Sequence, residues 1–274
     1  MPVKPIKQLG QHFLIDNAIA EAILAAAQIQ ADEPVWEIGA GTGVLTGKLL
    51  QKTNDLTAFE IDKRLCEQLR KQYGTKLTLI NQDILSCNWT ELLSAKVMAR
   101  GQKVKLVANL PYQITSPVLY ALEANAQYFS KAVLMLQKEV AQRLTAKAGT
   151  RAYGVLTLKI KYSFDAELLF EVPPEAFEPQ PKVRSCVIKL LPRADKPALK
   201  SLDIYWKVIH TAFSHRRKTL RNNLQQLLSS EELASLEKSS GIDFSRRGET
   251  VEESEFVRLA DLVYDLFSLR SQRS

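Results

Sequence analysis

Cysteine is scarce in this chain: Cys66, Cys87 and Cys186 are the only three among 274 residues. They are odd in number and form no Cys-x-x-Cys pair, which excludes a disulfide framework, a zinc ribbon and a thioredoxin-like redox motif. Histidine is as rare, at His12, His210 and His215, too few for a His-rich catalytic centre, so no metal is expected. No apolar run approaches the roughly 18 residues that would cross a bilayer, and the start MPVKPIKQLGQHFLID lacks a secretory hydrophobic stretch. A soluble, cytoplasmic protein without a membrane partner is the expectation. Eleven glycines and eleven prolines leave no room for a collagen-like or low-complexity polymer.

What is present is a globular composition, 46% hydrophobic and 24% charged. The length suits about two domains, or one large α/β domain with an appendage, and a core of that size needs no covalent staples. Basic residues outnumber acidic ones by 37 to 30, a net charge of +7. The excess is concentrated. Residues 193–225 carry Arg193, Lys196, Lys200, Lys207, Arg216, Arg217, Lys218 and Arg221 against Asp195 and Asp203. A surplus of that kind points to a polyanionic partner, nucleic acid above all.

An amphipathic helix over 16–29, capped by Asp16 or Asn17, is followed by a steady alternation. Strands are predicted at VWEI (35–38), LTAFE (56–60), KLTLI (76–80), VKLVA (104–108) and KAVLML (131–136), each followed by a helical stretch. Strand–helix alternation at this spacing requires a parallel sheet covered on both faces. LLFEVP (168–173) and KVRSCVIKLLP (182–192) read as two strands bracketing the proline-rich PPEAFEPQP; so short a connection favours a hairpin, with one strand antiparallel to the rest. PRADKPALK (192–200) reads as a linker, and helical patterns fill the remainder. The predicted fold is α/β, a doubly wound sheet in domain 1–191 with a small all-helical domain over 192–274.

EIGAGTG sets Gly39, Gly41 and Gly43 directly after a buried strand and before a helix, where the backbone turns sharply and a ligand approaches closely. A Walker loop would need glycine at position 42 and a hydroxyl at 49, where Thr42 and Leu49 stand; a dinucleotide fingerprint would need glycine at 44, where Val44 stands. A nucleoside ligand without pyrophosphate remains. Glu60 ends the next strand, placed to accept from both ribose hydroxyls, so the candidate ligand is S-adenosylmethionine. Asp83 ends the third strand at the same sheet edge, where its carboxylate suits an adenine amine; such an Asp is also a common helix cap.

ANLPY (108–112) ends the fourth strand. Asn109 offers a side-chain carbonyl, Leu110 a backbone carbonyl beside the helix-breaking Pro111, and Tyr112 an aromatic plate. These parts suit methyl transfer to an aromatic amine. The lone pair of adenine N6 is delocalised into its ring and nucleophilically poor. Two acceptors gripping its hydrogens favour pyramidalisation, and their dipoles stabilise the positive charge that grows on nitrogen. Tyr112 can stack on a base that has left its helix. A proline turn closing a strand is the plainer reading of the tetrapeptide.

The order and wording of KQLGQHFL, EIGAGTG, FEID, QDIL, NLPY, PPEAFEPQPKVRS and AFSHRRKTLRNNL resemble the ribosomal RNA adenine N6,N6-dimethyltransferase family, and within it the bacterial small-subunit, kasugamycin-resistance branch. The resemblance runs from Lys7 to about Leu224. It implies a seven-stranded methyltransferase core and dimethylation of two adjacent adenosines in the hairpin loop near the 3′ end of 16S rRNA, within the assembling small subunit. By position it implies that His12, Leu14, Gly39, Gly41, Glu60, Asp83 and Asn109 meet the methyl donor; relatives often carry Asn where His12 stands. Phe177 would be a second aromatic sandwiching the base against Tyr112, or else a loop aromatic tucked on the core. Arg216, Arg217, Lys218 and Arg221 would meet RNA. Arg217 and Arg221, four apart, are expected to share a helix face opposite Leu220, Leu224 and Leu227, a face that solvent alone would also accommodate.

Two other classes fit less well: an adenine N6 methylase of large-subunit rRNA or DNA, and a non-catalytic assembly factor. DNA enzymes usually carry Asp in place of Asn109 and a target-reading insertion that is missing here. A non-catalytic factor would tolerate loss of the acceptors. A monomer is the default expectation.

Overall fold

The computed structural model describes residues 3–271; the first two residues of the predicted first domain and the last three of the predicted second domain lie outside it. The chain forms two compact units. The first holds the stretch up to Gln142 together with Ser163–Arg193, and the second holds Arg143–Tyr162 with the stretch from Ala194.

Among the described residues nine strands belong to the first unit: β1 (Phe13–Leu14), β2 (Val35–Ile38), β3 (Leu56–Phe59), β4 (Thr78–Ile80), β5 (Val104–Asn109), β6 (Phe129–Gln137), β7 (Phe164–Val172), β8 (Phe177–Glu178) and β9 (Ser185–Pro192). Seven of them form one sheet in the order β4-β3-β2-β5-β6-β9-β7. The pairs from β4 through to β6 are parallel, and β9 runs antiparallel to both β6 and β7, as the hairpin reading required. The intervening helices are α1 (Asn17–Ala27), α2 (Val44–Leu49), α3 (Lys63–Tyr73), α4 (Trp89–Arg100), α5 (Thr115–Ala124) and α6 (Lys138–Leu144).

Both sheet faces are covered, and β2 shows how. Its neighbours Val35 and Trp36 point to opposite faces, and both are buried. Val35 joins a core with Ile23 and Leu24 of α1, Leu45 of α2 and Leu69 of α3. Trp36 makes edge contacts with Phe59, Phe129 and Trp89, the first residue of α4. A strand wet on neither side is mostly apolar, and the polar Glu37 of β2 is buried with a hydroxyl partner, Thr46. From β2 the chain builds outward to β3 and β4, then returns to place β5 on the other side. The order reverses at β2, and a crevice opens there beyond the carboxyl ends of the strands.

The second unit is helical: α7 (Val155–Ser163, whose last residue returns to the first unit), α8 (Leu202–Ala212), α9 (Leu220–Leu224), α10 (Ser230–Ser240) and α11 (Glu253–Ser271). The division differs from a single cut after residue 191. Residues 143–162 go with the second unit because Tyr153 and Leu158 are buried in its core among Tyr205, Val208, Leu220 and Phe256, and the Tyr153 hydroxyl donates to the Val251 carbonyl at 3.0 Å. No helix among the described residues is long and apolar enough to cross a membrane.

Candidate active site

The glycine turn is held from three directions. Gly39, Gly41 and Gly43 have φ of +74°, +57° and +88°, the left-handed region that costs glycine least. The Glu60 carboxylate accepts from the Gly41 amide at 2.9 Å and from the Asp62 amide at 2.9 Å. Beneath the turn, the Thr46 hydroxyl donates to Glu37 at 2.7 Å, and the Tyr73 hydroxyl donates to the Gly43 carbonyl at 3.1 Å. Burial pushes the Glu37 carboxyl up to about 8, against the Thr46 hydrogen bond. Burial also raises the Glu60 carboxyl, against the backbone amides of Asp62 and Gly41, which favour its charged form. Each carboxylate oxygen of Glu60 keeps a second lone pair, and Glu60 lines the crevice.

Leu9 to Leu14, in the arm before α1, line the crevice together with Ile61, Asp83, Ile84 and Asn109 to Ile114. The arm has little apolar anchorage before Leu14, and polar bonds hold it. Gln11 donates to Asp62 at 3.1 Å while its carbonyl accepts from the Ile6 amide at 2.6 Å. Arg64 grips Asp62 at 2.7 Å and the Lys4 carbonyl at 3.1 Å. Those bonds, Arg64 first, hold the Asp62 carboxyl down to about 2. Asp62 also caps α3. The strand–helix pattern gives no hint of its second task, and only its place beside Glu60 marks it.

Asn109 ends β5, and its side-chain amide donates to the His12 carbonyl at 3.2 Å, so its Oδ1 is the free acceptor end. The carbonyl of Asn109 lies 3.5 Å from where a Cβ on Gly39 would stand, which brings the tetrapeptide against the glycine turn. Leu110 is buried, with its amide donating to Met135 at 3.0 Å. The Tyr112 hydroxyl shares a hydrogen with the Ser185 hydroxyl at 2.9 Å, and burial keeps the phenol neutral by raising its pKa. The Tyr112 ring faces the His12 ring at 5.5 Å and 30°. Asp83 lines the crevice and also caps the turn after it, accepting from the Leu85 amide at 2.9 Å.

The structure thus brings His12, Leu14, Gly39, Gly41, Glu60, Asp83, Asn109, Leu110 and Tyr112 around one crevice. Phe177 is not among them. It is 2% exposed in the core, and its backbone pairs with Leu14 across the β1–β8 ladder. The ring beside Tyr112 is His12, which sequence reasoning placed against the donor alone.

The basic stretch of the second unit is also arranged differently from the expectation. Thr219 caps α9, so the helix starts at Leu220 and Arg217 lies in the turn before it. Arg217 and Arg221 therefore share no helical face. Arg221 is ion-paired with Glu237, and Arg216 donates to the Arg151 carbonyl and reaches Glu249 at 3.3 Å. Of Arg216, Arg217, Lys218 and Arg221, Arg217 and Lys218 are exposed and make no ion pair among the described residues.

A family model described as ribosomal RNA adenine dimethylase matches residues 4–265. The chain is similar to the ribosomal RNA small subunit methyltransferase A of Clostridium acetobutylicum, 41% identical over 264 residues that cover 94% of this chain and 93% of that protein. Among solved structures, a dimethyladenosine transferase from Plasmodium falciparum aligns at a TM-score of 0.77 and 26% identity, over 90% of this chain and 96% of that one. A 23S rRNA methyltransferase, ErmE, shares the fold at a TM-score of 0.69 and 24% identity, over 92% of this chain and 99% of that one.

Proposed function

The chain belongs to the ribosomal RNA adenine dimethylase family, and on that premise we propose that it moves methyl groups from S-adenosylmethionine to N6 of two adjacent adenosines. Those adenosines lie in the hairpin loop near the 3′ end of 16S rRNA, within an assembling small subunit. The family makes the protein an S-adenosylmethionine-dependent rRNA adenine dimethyltransferase; the positions, the assembly stage, a monomeric state and a cytoplasmic place of work are our reading.

The observation that carries it is the orientation of Asn109. With one N–H of its amide donated to the His12 carbonyl, the nitrogen end is turned to the backbone and Oδ1 is the end that accepts from the reacting amine. The donor supplies an electrophilic methyl on a sulfonium. Glu60 accepts from the ribose hydroxyls, the open glycine turn lets the nucleoside lie close, and Asp83 accepts from the adenine amine. Asn109 Oδ1 and the Leu110 carbonyl grip the hydrogens of the target N6, turning its lone pair out of conjugation and stabilising the charge that develops. Tyr112, pinned by Ser185, gives the flipped base a flat face. No strong base is needed, since the alkylated nitrogen sheds its proton readily.

The test is incubation with labelled donor and, in separate arms, undermethylated small subunits, naked 16S and 23S rRNA, and DNA, followed by mapping of the product. Dimethyladenosine confined to the 3′ hairpin of 16S rRNA is expected. Label on 23S rRNA or DNA, or none anywhere, would replace this reading with one of the alternatives.

A further inference from the structure

Residues 179–185 form a short span tied at both ends to the crevice mouth. At one end the Pro179 carbonyl is 2.6 Å from His12 Nδ1; at the other the Ser185 hydroxyl meets Tyr112 at 2.9 Å. His12 and Tyr112 are the two rings that face each other across the crevice. Pro181 is buried, so the span is seated on the protein, while Lys182, Val183 and Arg184 are exposed. Val183, an apolar side chain 46% exposed, stands between two cations.

The charges around this span are not balanced locally. Arg184 reaches Glu171 only at 3.6 Å and is 59% exposed, while Lys138 already holds that carboxylate at 2.5 Å. The Lys138 amide donates to the Arg184 carbonyl at 3.0 Å, so the lysine is fixed beside the span. Among the described residues Lys182 makes no ion pair. The exposed Glu178 precedes the span. One carboxylate therefore serves two cations and a third has none, on a span whose two ends are bonded to the crevice residues His12 and Tyr112.

We propose that Lys182 and Arg184 hold the backbone phosphates flanking the target adenosine of a single-stranded RNA, with Val183 against the intervening sugar or base. This rests on the methyltransferase reading above. It adds a substrate-positioning surface on the first unit, separate from the basic turn at Arg217 and Lys218. Phosphate contacts fix register and carry no sequence information. Their task here is to bring the strand to the mouth so that the extruded base meets Tyr112.

The test compares wild type, the double variant K182Q/R184Q and the charge-retaining K182R/R184K, on undermethylated small subunits with labelled S-adenosylmethionine. Each phosphate contact to a single strand contributes about 0.7 to the salt slope. Loss of two should make the double variant's RNA KM rise at low salt, with the gap from wild type shrinking roughly sevenfold between about 50 and about 200 mM salt. Donor KM should stay unchanged, and K182R/R184K should behave as wild type. If wild type methylates the subunits and K182Q/R184Q has the same RNA KM and salt slope, the inference falls while the function stands. A rise in donor KM, or equal loss in K182R/R184K, would also overturn it, by showing that the span shapes the crevice instead. Failure of wild type to methylate any RNA would remove the premise itself.

Discussion

The Tyr73 hydroxyl stands 2.7 Å from the point where a Cβ on Gly47 would be. The absence of that one carbon leaves Tyr73 free to donate to the Gly43 carbonyl. Gly47→Ala is therefore expected to push the hydroxyl away, loosen the glycine turn and weaken donor binding. Tyr73→Phe loses one hydrogen bond, worth about 0.5–1.5 kcal/mol, and also makes room for the alanine. The double variant should accordingly be less impaired than the two single effects combined. Calorimetric donor titrations and thermal midpoints of the four proteins check this, and strict additivity would rule out the steric link.

Asn109→Ala removes the acceptor aimed at the reacting amine. By analogy with loss of one preorganised group at a charge-developing centre, kcat should fall on the order of 10²–10³-fold. Donor affinity should change far less, because Glu60 and the glycine turn are untouched. Single-turnover rates at saturating donor separate the two effects.

Glu60→Gln replaces an oxygen that faces a backbone amide with an NH2 group. Whichever way the new amide turns, it confronts Gly41 or Asp62 with a donor. The ribose hydroxyls lose a charged acceptor as well, at about 1.5–3 kcal/mol for each such bond. Donor Kd should rise at least tenfold with kcat less affected, as calorimetry and kinetics together would show.

The basic stretch splits into two classes. Arg217→Gln with Lys218→Gln should lower the salt slope of RNA binding and leave both donor affinity and thermal midpoint unchanged. Arg221→Gln should do little to the salt slope but lower the midpoint slightly, since its pair with Glu237 is partly exposed and such pairs are worth under about 1 kcal/mol. A salt titration beside a melting curve distinguishes them.

Glu37 makes stability depend on pH. Its carboxyl titrates at about 8 when folded, against 4.5 as the ordinary value, so the folded protein holds a proton that the unfolded chain releases. Its contribution is full below about pH 4.5 and declines as pH rises to about 8. Glu37→Gln keeps an acceptor for Thr46 and has no proton to lose. Relative to wild type, the variant's midpoint should improve as pH is raised from 5 to 8; a constant difference would mean that Glu37 titrates normally.

The sheet is legible because its parallel strands are short, mostly apolar segments alternating with helical patterns. Gly39, Glu60, Asp83 and Asn109 group together because each stands at or just after the carboxyl end of one of those strands. What escaped the sequence depends on partners far along the chain. Two residues, Phe13 and Leu14, carry no strand periodicity, and only Phe177 and Glu178 make them a strand. That pairing turns Phe177 into the core, against the stacking role its motif implies. The pairing of Arg216 and Arg221 is hidden from the local sequence because Glu249 and Glu237, which neutralise them, lie in other elements. Order along the chain puts residues 143–162 in the first domain, but Tyr153 and Leu158 are buried in the second core.

The β1–β8 ladder and the His12–Pro179 contact join segments far apart in the chain, 167 positions in the case of His12 and Pro179, which has a consequence for synthesis. A nascent chain that has emerged as far as β7 already contains the glycine turn, Glu60, Asp83 and the Asn-Leu-Pro-Tyr segment. Phe13 and Leu14 still have no ladder to join, because Phe177 and Glu178 have yet to be made. A growing polypeptide acquires a complete donor crevice only once Phe177 to Ser185 have been made.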